Sequence, residues 1–416
     1  MYRIWYSTES FADYIIKHTL LRGLKVQKSK LNESDANNAS SFHTVPDHIK
    51  KILYLDAPDI IIEKDNEPIL SIEESKEAGT GHNAFQRFAR IAAAVENGVP
   101  AFYIYPEAAI VIRKGTPPKW DVINPLVFKA LDSVRSIYQI PAFLFFYPSD
   151  YKTFKNRPAD SPHLRQKGLI YDKDVRNFPN CPDAESEDMR EMFGLIDEII
   201  LLLKAGSVKK VQDSLLKNLK FREYESKMRE IYYHKKNEDC KKSAVKMSPL
   251  SATLCIPTKY ILNCLSSCCD SEYAIGELLR GREYSIVYQA NARFRGDPYP
   301  GALAAIDYMA CRQGKTFEDR KHNLIMVFGN VTVDEDNKMI RVEGKASIND
   351  FCKAVQKSER HNLLSRKYAE LKSCEIPRYY MQVRYGSTYS KVKHIRVYSY
   401  FADAIIFHDG ALWRDA

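Results

Sequence analysis

Apolar residues in this chain come in short bursts. Between residues 52 and 105 the runs ILYL, PDIII, PILSI and VPAFYIY follow one another, with a stretch of helical spacing before the last. Runs of about four to eight apolar residues bounded by turn residues fit buried strands. The predicted order is therefore strand, strand, strand, helix, strand, an α/β core. Asp65-Asn66-Glu67-Pro68 separates the second and third runs with hairpin-turn chemistry, Asp and Asn accepting left-handed backbone and Pro68 opening the next strand. From Asn83 the spacing of Phe85, Phe88, Ala89, Ala92, Ala93 and Val95 predicts a helix with one apolar face, stopped by Asn97-Gly98. PLVFKALDSVRSIY and PAFLFFYP then add a helix and a buried strand to the same sheet.

Upstream, residues 1–25 read as a strand or short helix carrying Trp5, Phe11, Tyr14 and Ile15, and KSKLNESDANNASS reads as a loop. Downstream, a polar, proline-containing stretch from Ser149 to Asp183 marks a boundary. Residues 185–237 are strongly charged with long-helical patterning, an arm, linker or clamp. From about Leu250 the pattern alternates between strand-like runs (EYSIVYQ, NLIMVFGNVTV, ADAIIFH) and helical ones. Three regions are expected: 1–150, the α/β core; 151–249, a charged, largely helical connecting arm; and 250–416, mixed α and β.

At 416 residues the chain exceeds one ordinary core, and 45% hydrophobic with 28% charged residues is a globular composition. The 62 Lys and Arg exceed the 53 Asp and Glu by nine, which favours a polyanion such as nucleic acid as partner. Nine cysteines without regular spacing, and a start (MYRIWYSTES) unlike a signal peptide, lead us to expect a reducing, cytoplasmic compartment. The longest apolar runs fall well short of the roughly 20 residues that span a bilayer, so no membrane partner is expected.

The sharpest chemical signal is Pro58-Asp59 at the end of one run, followed after the turn by a strand ending Glu73-Glu74-Ser75-Lys76. Two carboxylates on adjacent strands supply hard oxygen ligands for a divalent cation, which neutralises charge on a phosphodiester and lowers the pKa of water. This arrangement resembles the PD-(D/E)XK nuclease superfamily, in which the Asp and a second acid bind metal and a Lys two residues on assists the attacking water. The resemblance implies a restriction-endonuclease-like mixed sheet flanked by helices. It also implies Asp59 and Glu73 as ligands of Mg²⁺, with Mn²⁺ as substitute, and Glu74, Lys76 and Gln86 as further catalytic candidates. Two frames are open: Glu73 with Ser75 where the family carries Lys, or a complete Glu74-Ser75-Lys76. Strand alternation sends 73 and 75 to one face and 74 and 76 to the other, so one frame alone can be active; the position of Glu73 after Ile69 and Leu70 favours it.

The loop Gly79-Thr80-Gly81-His82-Asn83 opens a helix bearing Gln86, Arg87 and Arg90, placed to hold the scissile phosphate. Further on, Asn291 to Gly301 carries Arg293, Arg295 and Tyr299, with Arg312, Arg320 and Lys321 close behind, and Tyr379 to Arg396 is also basic and aromatic. Arg reads guanine edges or phosphates and Tyr stacks on bases, so this half is the candidate for DNA recognition. Gly314-Lys315-Thr316 lacks the upstream glycine of a P-loop, and Cys255, Cys264, Cys268 and Cys269 lack a matching zinc pair. The expectation is a site-specific, Mg²⁺-dependent endonuclease for double-stranded DNA resembling type II restriction enzymes of restriction-modification, working as a homodimer because the duplex is two-fold symmetric. A catalytically inactive DNA-binding protein on the same fold, and a structure-specific repair or recombination nuclease, are the alternatives.

Overall fold

A computed structural model of the protein describes residues 1–31, 45–53, 57–76, 82–238, 249–268, 279, 281–290, 298–347, 350, 378–379 and 401–414. The strands up to residue 150 are β1 (Tyr2–Tyr6), β2 (Val26–Lys30), β3 (Ile60–Lys64), β4 (Glu67–Glu74), β5 (Ala101–Pro106), β6 (Ala108–Arg113), β7 (Thr116–Val122) and β8 (Ala142–Tyr147). Six of them form a mixed sheet in the order β2-β1-β3-β4-β5-β8, and β6 with β7 makes a separate two-stranded ribbon. The protein is thus α/β, as its apolar pattern predicts, but the run ILYL, read as the first strand, begins inside the Asp47–Leu53 helix, and the KSK read as loop ends β2; a short apolar run does not by itself tell a buried strand from a buried helix segment. β3 and β4 are antiparallel, while β4, β5 and β8 are parallel neighbours, which requires crossover connections. The Phe88–Glu96 and Leu126–Tyr138 helices provide them.

The β3–β4 hairpin fixes the geometry of the strand ends. Asp65 and Asn66 take φ of 53° and 66°, the doubly positive pair whose twist matches that of the strands it joins. The ladder leaves this turn with Lys64 opposite Glu67 and Glu63 opposite Pro68, then slips by one residue, so that Ile62 faces Leu70 and Ile60 faces Ile72. A one-residue slip exchanges the side chains that share a face. A straight ladder would set Asp59 opposite Ile72, on the face of Glu74. The slipped ladder, continued by one residue, sets Asp59 opposite Glu73.

The helix expected from Asn83 is broken. A 3-10 turn covers His82–Phe85, Arg87 has non-helical backbone, and the α-helix proper is Phe88–Glu96, with every residue up to Val95 buried. It ends as expected, at Asn97 and at Gly98 with φ of 77°. The charged Glu187–Leu202 and Leu219–Glu238 helices lie against the first sheet: Tyr224 stacks on Phe145 at 4.6 Å, and Phe193 meets Tyr14 edge-on at 5.5 Å.

A second sheet comprises β9 (Thr253–Pro257), β10 (Tyr284–Gln289), β11 (Asn323–Val327), β14 (Arg378–Tyr379), β15 (Ala404–Phe407) and β16 (Gly410–Arg414), with β12 (Asn330–Asp334) and β13 (Met339–Glu343) as a side hairpin. Its order is β14-β16-β15-β11-β10-β9. The Pro298–Ile306 helix between β10 and β11 packs on the Phe88–Glu96 helix. Contact is so close that a Cβ on Gly301 would lie 1.7 Å from the Phe85 carbonyl oxygen. Arg312 adds a polar tie, donating to the Tyr138 hydroxyl at 3.0 Å while its guanidinium lies 3.7 Å from Glu96 and 2.7 Å from Asp307. Arg320 pairs with Asp307 at 2.7 Å and Asp403 at 2.8 Å. Both arginines, expected on a DNA-facing surface, are instead interior counter-ions, because a buried guanidinium needs an anion and two buried aspartates are at hand. Among the described residues no helix is long and apolar enough to cross a membrane.

Candidate active site

Asp59 stands immediately before β3 and Glu73 next to last in β4, each one residue beyond the last ladder pair, Ile60 and Ile72. Opposed residues of an antiparallel pair share a face, with Cβ atoms about 5 Å apart. β5 adds Tyr103, paired in register with Glu73. Glu73 is wholly buried. Its Oε1 accepts from Arg87 and Arg90, each at 2.8 Å, and Oε2 accepts from Arg90 at 3.1 Å. The break before Phe88 makes this possible: Arg87 and Arg90 straddle the first turn of the helix and converge on one carboxylate. Gln86, expected to share a helical side with Arg90, lies instead in the turn ahead of the helix, half-buried. Arg87 and Arg90 are therefore a clamp on Glu73 and not a solvated face. Arg87 keeps 27% of its side chain exposed against 6% for Arg90.

Glu74 and Lys76 occupy the other face. Lys76 Nζ lies 3.2 Å from Glu74 Oε2, and the carboxylate looks toward Tyr14, Tyr147, Tyr171 and Cys181, whose protonated forms it favours. The structure thus brings Asp59 together with Glu73, as expected, and does not bring Glu74 or Lys76 to their face. Alternation is the reason, and the slip in the ladder sets its phase. Ser75, on the Glu73 side of the strand, stands where the superfamily pattern calls for Lys.

Burial dominates the electrostatics. It pushes the Asp59 carboxyl up to about 6 against the opposing charge of Arg90, and Glu74 up to about 7 against Lys76. Glu73 is shifted upward by the same cause, with Arg90 opposing.

The donor set fits a hard divalent cation. An ionised carboxylate offers about four lone-pair sites. Asp59 spends one of them on the Glu74 N–H at 2.7 Å, and Glu73 Oε2 accepts a single long bond. Next to them, the Tyr103 hydroxyl and Arg87 Nε are buried without a hydrogen-bond partner among the described residues. Among the described residues no group of three or more His, Cys, Asp or Glu is arranged to hold a metal. A cation at Asp59 and Glu73 would complete its shell with water and substrate, as Mg²⁺ does.

The remaining candidates fare differently. Tyr299, expected to stack on bases, is 5% exposed and packs edge-on against Tyr288 and Phe328; helical spacing in PYPGALAAI turned it into the core. Arg293 and Arg295 lie outside the described residues, as do Tyr380, Arg384, Tyr385, Lys391, Lys393 and Arg396. Cys255 is exposed and Cys264 buried, both as free thiols. Sequence reasoning passed over Tyr103, an aromatic inside a run that already read as core, and the ribbon β6–β7, whose signal was the Lys114-Gly115 turn between AAIVI and Trp120. Compared with family models, with curated proteins and with solved structures, the chain matches none.

Proposed function

We propose that the protein is a metal-dependent endonuclease of the PD-(D/E)XK type, cutting double-stranded DNA at defined sites in the manner of type II restriction enzymes. The observation that carries this reading is the opposition of Asp59 and Glu73 at the ends of neighbouring strands, followed by a helix and a parallel strand. That is the order the superfamily resemblance implies. Asp59 and Glu73 would hold Mg²⁺ or Mn²⁺, which supplies Lewis acidity toward a phosphoryl oxygen and toward the attacking water. Arg90 keeps the Glu73 carboxylate oriented from the interior. Arg87, closer to solvent, has donors to spare for a non-bridging phosphate oxygen. With Ser75 in the usual Lys position and Lys76 on the far face, Gln86 is the residue assigned to orient the water. Cutting both strands requires two such centres, hence a homodimer on the duplex.

Plasmid DNA incubated with the protein, in Mg²⁺ and in EDTA, beside Asp59→Ala, tests the reading. Discrete fragments that need Mg²⁺ and vanish in the variant are the expected result. Cleavage by Asp59→Ala at the wild-type rate would sink the site assignment, and a smear without defined fragments would point to a structure-specific nuclease. The absent Lys on the Asp59 face favours a second reading, a DNA-binding protein that does not cut; retained DNA binding with no cleavage in any divalent metal would select it.

A further inference from the structure

Beside the strand end that carries Glu74 lies a cavity of about 420 Å³ bounded by Lys76, Asn83, residues 109–112 of β6, Arg165 and Lys167. Three cations and no carboxylate line it. Arg165 and Lys167 are exposed, and neither pairs with an acid among the described residues; Lys76 alone has an anionic neighbour, Glu74 at 3.2 Å. The basic residues continue onto the ribbon, where Arg113, Lys114 and Lys119 occur with one acid, Asp121, opposite Ala109 at its far end.

The backbone beneath these cations is built in. Lys167 and Gly168 take φ of 58° and 76°. The Lys167 carbonyl accepts from Ile110 N–H at 2.7 Å, and the Gly168 carbonyl accepts from Asp150 N–H at 2.8 Å. Trp120 lies flush on Gly168, where a Cβ would come within 2.3 Å of its ring, and its Nε1–H donates to the Phe154 carbonyl at 2.9 Å. The turn is therefore locked to the ribbon, so that its backbone needs no ordering on binding. Arg165 and Lys167, exposed and without an acidic partner among the described residues, add to a positive potential that an anion relieves.

We infer that this ribbon and turn form a second phosphate-binding site, which grips the sugar-phosphate backbone of duplex DNA on the Lys76 side of the strand end. The inference rests on the nuclease reading. Duplex is favoured over a free phosphate because the cations run on from the cavity along the ribbon, further than one phosphate reaches. A two-stranded ribbon is also the width that the major groove admits, and Ile112, 57% exposed, adds an apolar contact on it.

The test is binding of a short duplex in EDTA by fluorescence anisotropy, over a salt series, for wild type and Arg165→Ala/Lys167→Ala. Each lost phosphate contact lowers the slope of log K against log salt by about 0.9, so the double variant should lose about 1.8. Arg165→Lys/Lys167→Arg should restore it. Lys210→Ala/Lys217→Ala, which removes equal charge near the opposite end of β4, should leave the slope unchanged. An unchanged slope in the Arg165/Lys167 variant, or an equal loss in the control, overturns the site. So does binding of inorganic phosphate that the variant abolishes while duplex binding stays as it was. Wild-type cleavage with an unchanged slope refutes this site and leaves the nuclease reading standing. A reduced slope without cleavage by any form does the reverse.

Discussion

At the scale of single residues, Asp59 and Glu73 make the same motif but different structural demands. Removing Glu73 takes from the Arg90 guanidinium, 6% exposed, the carboxylate that accepts from it at 2.8 and 3.1 Å. Breaking a buried pair in this way costs about 3–5 kcal/mol. Removing Asp59 sacrifices one hydrogen bond from Glu74 N–H, worth about 0.5–1.5 kcal/mol. Urea unfolding should therefore separate the variants, Glu73→Ala losing far more stability than Asp59→Ala; equal losses would mean that the arginine clamp does not form in solution. Asp188 offers a pH prediction away from the site. It accepts from Phe146 N–H at 3.1 Å, yet burial pushes its carboxyl up to about 6 from an ordinary 3.8. The folded state then holds a proton that the unfolded chain has released between those values, so stability falls as pH rises through that window. Asp188→Asn should flatten this slope by on the order of 2 kcal/mol, read as melting temperatures at pH 4.5 and 7.

At the scale of elements, the Phe88–Glu96 helix depends on a partner far along the chain. Gly301 lets the Pro298–Ile306 helix touch the Phe85 carbonyl, and Gln86 and Arg87 follow directly. Gly301→Ala must push the two segments apart, an overpacking cost of about 1–3 kcal/mol. Because the shift falls where Arg87 approaches Glu73, the cleavage that the proposed nuclease function entails should drop more than tenfold under conditions where the variant is still folded. A variant that melts early yet cuts normally would separate packing from positioning. The hairpin turn at Asp65 and Asn66 was legible because both residues tolerate positive φ; the slip after Glu63 was not, because Ile69 and Leu70 are equally apolar and equally buried.

At the scale of the whole molecule, Arg312 and Tyr308 join the second sheet's surroundings to Glu96 and Tyr138 of the first. The two sheets should then unfold together, with fluorescence of Trp5 and Trp120 and of Trp413 reporting coincident transitions. Arg312→Ala leaves Asp307, wholly buried, with one cation in place of two. It should lower stability by several kcal/mol and pull the transitions apart. Coincidence that survives the substitution would show that the apolar contact of the helices couples the sheets without the ion pairs.

The sequence by itself determined the α/β class, strands β3, β4, β5 and β8 with the helices between them, the hairpin turn, and Asp59 and Glu73 as a candidate pair, but not β2 or the Asp47–Leu53 helix, which it read as a loop and a strand. Those rest on apolar periodicity and turn chemistry, which are local. Only the tertiary structure decided which acid faces Asp59, because one extra residue in β4 resets the phase of the strand. Likewise it alone placed Arg87 and Arg90 on Glu73, and turned Arg312, Arg320 and Tyr299 inward. The partners of those side chains lie from a few residues away, as Asp307 does from Arg312, to 174, as Tyr138 does, and charge or aromaticity read along the chain does not say whether a partner is water, an anion or the core.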